Sequence, residues 1–116
     1  MEKIIHNLLN QFGITANYRG FFYISYAVLL ALREPERLTY VTKMLYPEVA
    51  KYYGTTWSSV ERGIRTVVAH AWTVNPACFE VLAGRPVNQK PTAACFIAFF
   101  VMRIRNEASD LQGEEA

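Results

Sequence analysis

Arg62 and Arg65 stand three residues apart with Glu61 beside them, in the stretch TTWSSVERGIRTVVAHAW that fills positions 55–72. An arginine fork donates two parallel hydrogen bonds to a guanine edge, and a glutamate accepts from the amino group of cytosine. A short serine such as Ser58 or Ser59 reaches a phosphate or a base edge without a clash. An acid facing DNA is costly unless it is paired or reading a base, so Glu61 among arginines points to specific rather than purely electrostatic contact. The same types, with Glu61 and Arg65 at i and i+4, also suit an ordinary solvated helix face. The elements that hold them decide between the two uses.

On a helical wheel Trp57, Val60, Ile64, Val67 and Ala71 gather on one side, with Ser58, Glu61, Arg62, Arg65, Thr66 and Ala69 opposite. One face is core and the other is free. Thr55 and Thr56 supply the N-cap of this helix, Ser58 with Glu61 also fits the capping-box spacing, and Asn75–Pro76 ends it near Thr73. Ahead of it, Pro47 opens PEVAKYYG, a helix of about two turns that Gly54 stops. The link GTT is too tight for a comfortable antiparallel hairpin, so the pair is expected to cross as a helix-turn-helix over about residues 47–73. Ala50 is small where the two helices would touch, and Val49, Val60 and Ile64 fill the angle between them. Such a unit lays its second helix in the DNA major groove. The residues placed there are Thr56, Trp57, Ser58, Ser59, Glu61, Arg62 and Arg65.

Helical spacing dominates the rest of the chain as well, and the expected fold is an all-α, compact six-helix domain over residues 1–107, followed by a flexible acidic tail at 108–116. A first helix is expected from about Glu2 to Phe12, and a nearly all-apolar central one from Tyr18 to Arg33. A short helix follows from Glu36 to about Met44, another from Ala77 to Leu82, and a last one, capped by Thr92, reaches about Glu107. In that last helix Phe96, Ile97, Phe99, Phe100 and Val101 exceed a single buried stripe, and part of this surface is expected to meet a second copy. Tyr46, Tyr52 and Tyr53 are read as core residues with a wet hydroxyl.

The chain has 116 residues, 52% of them hydrophobic, which suits one folded domain and excludes a disordered one. Its net charge of +2 hides an asymmetry: residues 1–106 carry 12 basic against 6 acidic side chains. That excess is compatible with a polyanionic partner, and equally with a basic domain that binds none. The longest apolar runs, from Phe21 and from Ala93, are too short to span a membrane, and the N-terminus lacks the pattern of a secretory signal, so the expected location is the cytoplasm with no membrane partner. Cys78 and Cys95 form no CxxC pair and are read as reduced core thiols; with only His6 and His70 beside them, no metal and no cofactor are expected. Both histidines are read as structural. No nucleophile, base and orienting acid recur at catalytic spacing, so the chain is not read as an enzyme.

The run VTKMLYPEVAKYYGTTWSSVERGIR resembles the helix-turn-helix of the C-terminal effector domain of stage-zero sporulation protein A, the response regulator that commits endospore-forming bacteria to sporulation. The resemblance extends to FGI and RGFFYI near the N-terminus, to Ala71–Trp72, and to KPT and CFIA between Lys90 and Ala98. It implies a DNA-binding transcriptional regulator whose helix from Trp57 reads a short box in double-stranded DNA. It also implies head-to-tail copies on tandem boxes and contact with the RNA polymerase sigma subunit. By position, Glu61, Arg62 and Arg65 match recognition-helix residues, Ser58 a small polar one and Lys51 a basic one. Ser59 departs from an arginine usual in the family, Trp57 from a small residue, and the loop from Gly84 to Lys90 is shorter. Full-length members carry a phosphorylated receiver domain, which this sequence does not contain, so the chain is read as a free-standing effector domain, with a domain excised from a longer protein as the alternative. The competing reading is a degenerate effector domain that binds a sigma factor or a full-length relative, with weak or no specific DNA binding.

Overall fold

Leu30, Ala31 and Glu34–Pro35 mark where the central helix must stop, because proline cannot continue it and restrains the residue before it. In the computed structural model, which describes the backbone of residues 1–115 and the side chains of residues 1–107, this helix is α2 (Arg19–Arg33). The others are α1 (Glu2–Gln11), α3 (Tyr46–Tyr53), α4 (Trp57–Val74), α5 (Ala77–Ala83) and α6 (Ala93–Glu115). The fold is therefore all-helical, with six α-helices, and no strand occurs among the described residues.

The near-absence of polar side chains around α2 has its consequence in packing: α2 lies against α1, α3, α4 and α6, and Ile24, Ala27, Val28 and Ala31 are fully buried. Its one buried polar side chain, Ser25, satisfies itself by donating to the Phe21 carbonyl at 2.7 Å. Around it, Phe12, Phe79, Phe96 and Phe100 meet edge-on or tilted, with centroids 5.1–6.0 Å apart, and close the end of the core formed by α1, α5 and α6. The helix α6 contributes Phe96, Ile97, Phe100, Val101 and Ile104 to that core. Of the apolar surplus expected to meet a second copy, four residues are thus spent internally and Phe99 alone is half-buried, beneath the Arg85 guanidinium.

Several expectations are corrected. The helix expected over Glu36–Met44 is broken into a 3-10 turn, Pro35–Leu38, and a π-helical turn, Val41–Leu45, that runs directly into α3. The interruption falls at Tyr40, whose non-helical backbone (φ −134°, ψ 66°) lies within the run Thr39-Tyr40-Val41-Thr42, where β-branched and aromatic residues disfavour a regular helix. Arg37 pins the segment by donating to the Met44 carbonyl and pairing with Glu34. The thiols are not in the core: Cys95 is exposed and Cys78 half-buried, because the stripe through Phe96, Phe100 and Ile104 turns Cys95 outward and Cys78 sits in the first turn of α5. Tyr52 and Tyr53 are exposed at the end of α3, where Tyr26 and Tyr52 stack at 4.2 Å. Of the three tyrosines only Tyr46 is a core residue. The backbone of α6 continues to Glu115, past the expected end near Glu107; the side chains of the acidic segment 108–116 lie outside the described residues.

Among the described residues no helix is long and apolar enough to cross a membrane.

Candidate nucleic-acid interface

Gly54 makes the turn between α3 and α4 possible. Its left-handed backbone, φ 65° and ψ 40°, lets the chain leave α3 with the Thr55 amide still bonded to the Ala50 carbonyl. Two residues later α4 begins. Thr56 is its N-cap, with Oγ1 accepting from the Ser59 amide at 3.2 Å and donating to the Ser59 hydroxyl at 3.0 Å. Ser58 Oγ lies 3.2 Å from the same oxygen. The cap is thus Thr56 with Ser59, not the Ser58–Glu61 box that the spacing also allowed. Replacing Thr56 by alanine should lower stability by about 0.5–2 kcal/mol, read from the urea midpoint; Thr56→Ser should recover most of it.

From this start the helix turns one face inward. Val60, Ile64, Val67 and Ala71 are fully buried, with Val49 and Ala50 of α3 in the angle between the two helices. Trp57 leaves this face: it is 47% exposed, because the first turn of α4 projects past the elements that cover the rest. The opposite face presents Ser58, Arg62, Arg65 and Thr66 to solvent, with Ser59 and Glu61 half-buried. Arg65 Nε lies 3.7 Å from Glu61 Oε1, an exposed i, i+4 pair whose own stabilisation is at most a few tenths of a kcal/mol. Lys51 is exposed on α3. The structure therefore presents Ser58, Arg62 and Arg65 on one outward face, with Trp57 exposed to one side of it at the start of the helix. Thr56 and Ser59 serve the cap, and Glu61 is turned partly toward the body of the protein.

Two cations join this surface that the spacing of residues did not single out. Arg19 shares a shallow hollow with Ser59, Arg62 and Thr66 on one flank of α4, and Lys90 shares a cavity with Glu61 and Arg65 on the other. The signal was present in a form easily overlooked. A cation in the first turn of a helix opposes the helix dipole, and Arg19 opens α2 while Lys90 sits just ahead of the Thr92 cap of α6. Neither is placed for helix stability. With Glu61 the only half-buried acid between them, α4 carries a positive outer face bordered by positive charge on both sides.

The seat of α4 rests on two glycines. A Cβ at Gly20 would strike the Gly63 carbonyl oxygen and lie 2.9 Å from Val67 Cγ1, so α2 and α4 meet backbone on backbone. At Gly63 a Cβ would lie 2.9 Å from Tyr23 Cδ2. No periodic pattern marks this pair, since glycine carries no side chain to count.

Beneath the outer face of α4, Tyr46 is 1% exposed. Burial first, then the Glu61 carboxylate, push its phenol up from 10.0 to about 12, with the Arg65 guanidinium opposing. The folded value exceeds the unfolded one, so above pH 10 the unfolded chain releases a proton that the folded chain retains. Stability should accordingly fall as pH rises from 10 to about 12. Tyr53 is raised as well, chiefly by burial, and acts in the same direction. Urea midpoints at several alkaline pH values should show the decline, and Tyr46→Phe should flatten it.

The family model described as sporulation initiation factor Spo0A C terminal matches residues 5–104, a span that takes in α2 to α5 whole, with the seated α4 and its flanking cations. The helix-turn-helix connectivity of α3, Gly54 and α4 accords with that family, whose members are DNA-binding regulatory domains. With 100 consecutive positions of 116 matched and the all-helical fold in place, this chain belongs to the Spo0A C-terminal family, the DNA-binding domain of the sporulation initiation factor.

Proposed function

We propose that the chain is a sequence-specific regulator of transcription that reads a short box in double-stranded DNA with α4. The observation that carries this reading is the outward face of α4, where Ser58, Arg62 and Arg65 project beside a capped helix start and are bordered by Arg19 and Lys90. Arg62 and Arg65 are assigned to base edges and Glu61 to a cytosine amino group, once DNA draws Arg65 away from it. Ser58, Ser59 and Lys51 position the helix on phosphates, and Trp57 lies against the groove wall. Membership in the family supports head-to-tail pairing on adjacent boxes and contact with the RNA polymerase sigma subunit as the accompanying partners.

The test is fluorescence anisotropy on a duplex carrying two tandem sporulation-type boxes, against a scrambled duplex, over a range of salt concentrations. A preference of about a hundredfold or more, with affinity falling as salt rises, supports the reading. Equal, weak binding to both duplexes, with no sequence recovered from a random pool, removes it.

A further inference from the structure

A cavity of about 440 Å³ opens between the π-helical turn, α3, the flank of α4 and the start of α6. Its apolar walls are Val41, Val68, Pro91, Ala93 and Ala94, and its polar groups are Tyr46, Glu61, Arg65, Lys90 and Thr92. Volume and lining both match those of small-molecule sites, which are mostly apolar with a few placed polar groups.

Tyr46 is the most informative of these residues. Its side chain is 1% exposed, yet its hydroxyl has no hydrogen-bond partner among the described residues and the residue lines the cavity. A phenol hydroxyl without a protein partner at a cavity wall is free to bond water or a polar atom of whatever enters the space beside it. The second observation concerns charge. Thr92 caps α6 by accepting the Cys95 amide on its hydroxyl and the Phe96 amide on its carbonyl, at 3.1 and 3.0 Å. The amides of Ala93 and Ala94 are left without helical partners at the cavity wall. Arg65 and Lys90 face them, so the site is net positive even with the Glu61 carboxylate present.

We propose that this cavity binds a small organic anion with an apolar body: an aromatic carboxylate or phosphate monoester. The anionic head meets Arg65, Lys90 and the first amides of α6, the body lies against Val41, Val68 and Pro91, and the Tyr46 hydroxyl bonds a polar atom of the ligand. A DNA phosphate would engage the same cations but leave the apolar walls and the Tyr46 hydroxyl unfilled. Arg65 also belongs to the outer face of α4, yet the site itself is independent of any reading of DNA.

The experiment is a nitrogen–proton NMR titration of the whole chain, without DNA, using phenyl phosphate and phenylacetate as probes. Inorganic phosphate serves as the head alone and phenol as the body alone. Saturable shifts at the amides of Val68, Ala93 and Ala94 are expected, with a Kd of about 1 mM or below and affinity about tenfold or more above inorganic phosphate. Tyr46→Phe and Lys90→Gln should each weaken binding about threefold or more. Equal affinity for inorganic phosphate and both probes, no saturable shift with either probe, or binding indifferent to both substitutions would each overturn the proposal.

Discussion

Gly20→Ala should lower the unfolding free energy by about 1–3 kcal/mol although it adds a better helix former. The new methyl group meets the Gly63 carbonyl oxygen, which is backbone and has no rotamer to give, and Val67 Cγ1 at 2.9 Å, which belongs to a fully buried side chain. The helices must part or shift, and every contact along the seam between α2 and α4 loosens with them. Against this, alanine gains about 1 kcal/mol over glycine in a helix interior. Gly63→Ala provides the contrast, because its methyl group is crowded by the ring edge of Tyr23, at 2.9 and 3.0 Å, while the Gly20 nitrogen at 3.7 Å is an ordinary contact. A ring edge moves more easily than a carbonyl, so the helix-propensity gain offsets much of the strain, and the net change should stay within about 1 kcal/mol. Urea midpoints followed by circular dichroism measure both. A midpoint for Gly20→Ala at or above that of the unaltered chain would mean that α2 and α4 do not meet backbone on backbone.

Replacing both Arg62 and Arg65 by alanine should weaken binding to the preferred box by about 2–5 kcal/mol, taking about 1–3 kcal/mol for each base contact. Stability should change by no more than about 0.5 kcal/mol, since both side chains are exposed and the Glu61 pair at 3.7 Å contributes little. The two quantities separate a reading role from a structural one. Single substitutions refine the assignment: each should flatten discrimination at one base position. Lys51→Ala should instead weaken specific and scrambled duplexes alike and reduce the salt dependence. Glu61→Gln relieves repulsion from phosphates while forfeiting any contact to cytosine, so its effect should depend on the base offered. Anisotropy against the box and its single-position variants reads all of these, and a double variant that kept its box preference would show that α4 is not the reader.

Periodicity exposed most of the architecture because side-chain pattern and helix geometry share a period. The buried stripe Val60, Ile64, Val67 and Ala71, the Gly54 turn and the Thr56 cap were all readable from residue types and spacing. Trp57 shows the limit of the wheel, which assigns a direction to a residue but not the presence of a neighbour in that direction. Cys95 and the paired tyrosines of α3 fail for the related reason that apolarity suggests burial without specifying what would do the burying. The π-helical turn was illegible because its extra residue per turn arises from the fit between flanking elements, not from a composition of its own. At the site, the charges on α4 were evident while Arg19 and Lys90 were not. Their relevance depends on which helix starts converge in space.

The contact between Gly20 and Gly63 also bears on how this molecule can change over time. The height of α4 above the body is set by main-chain atoms, which no substitution on the outer face alters. Ser58, Arg62 and Arg65 can therefore be exchanged for other side chains while the helix remains at the same depth and angle. Scaffold and outer face are separable in such an arrangement: the exposed side chains can change by single steps without re-evolving the mount on which they are carried.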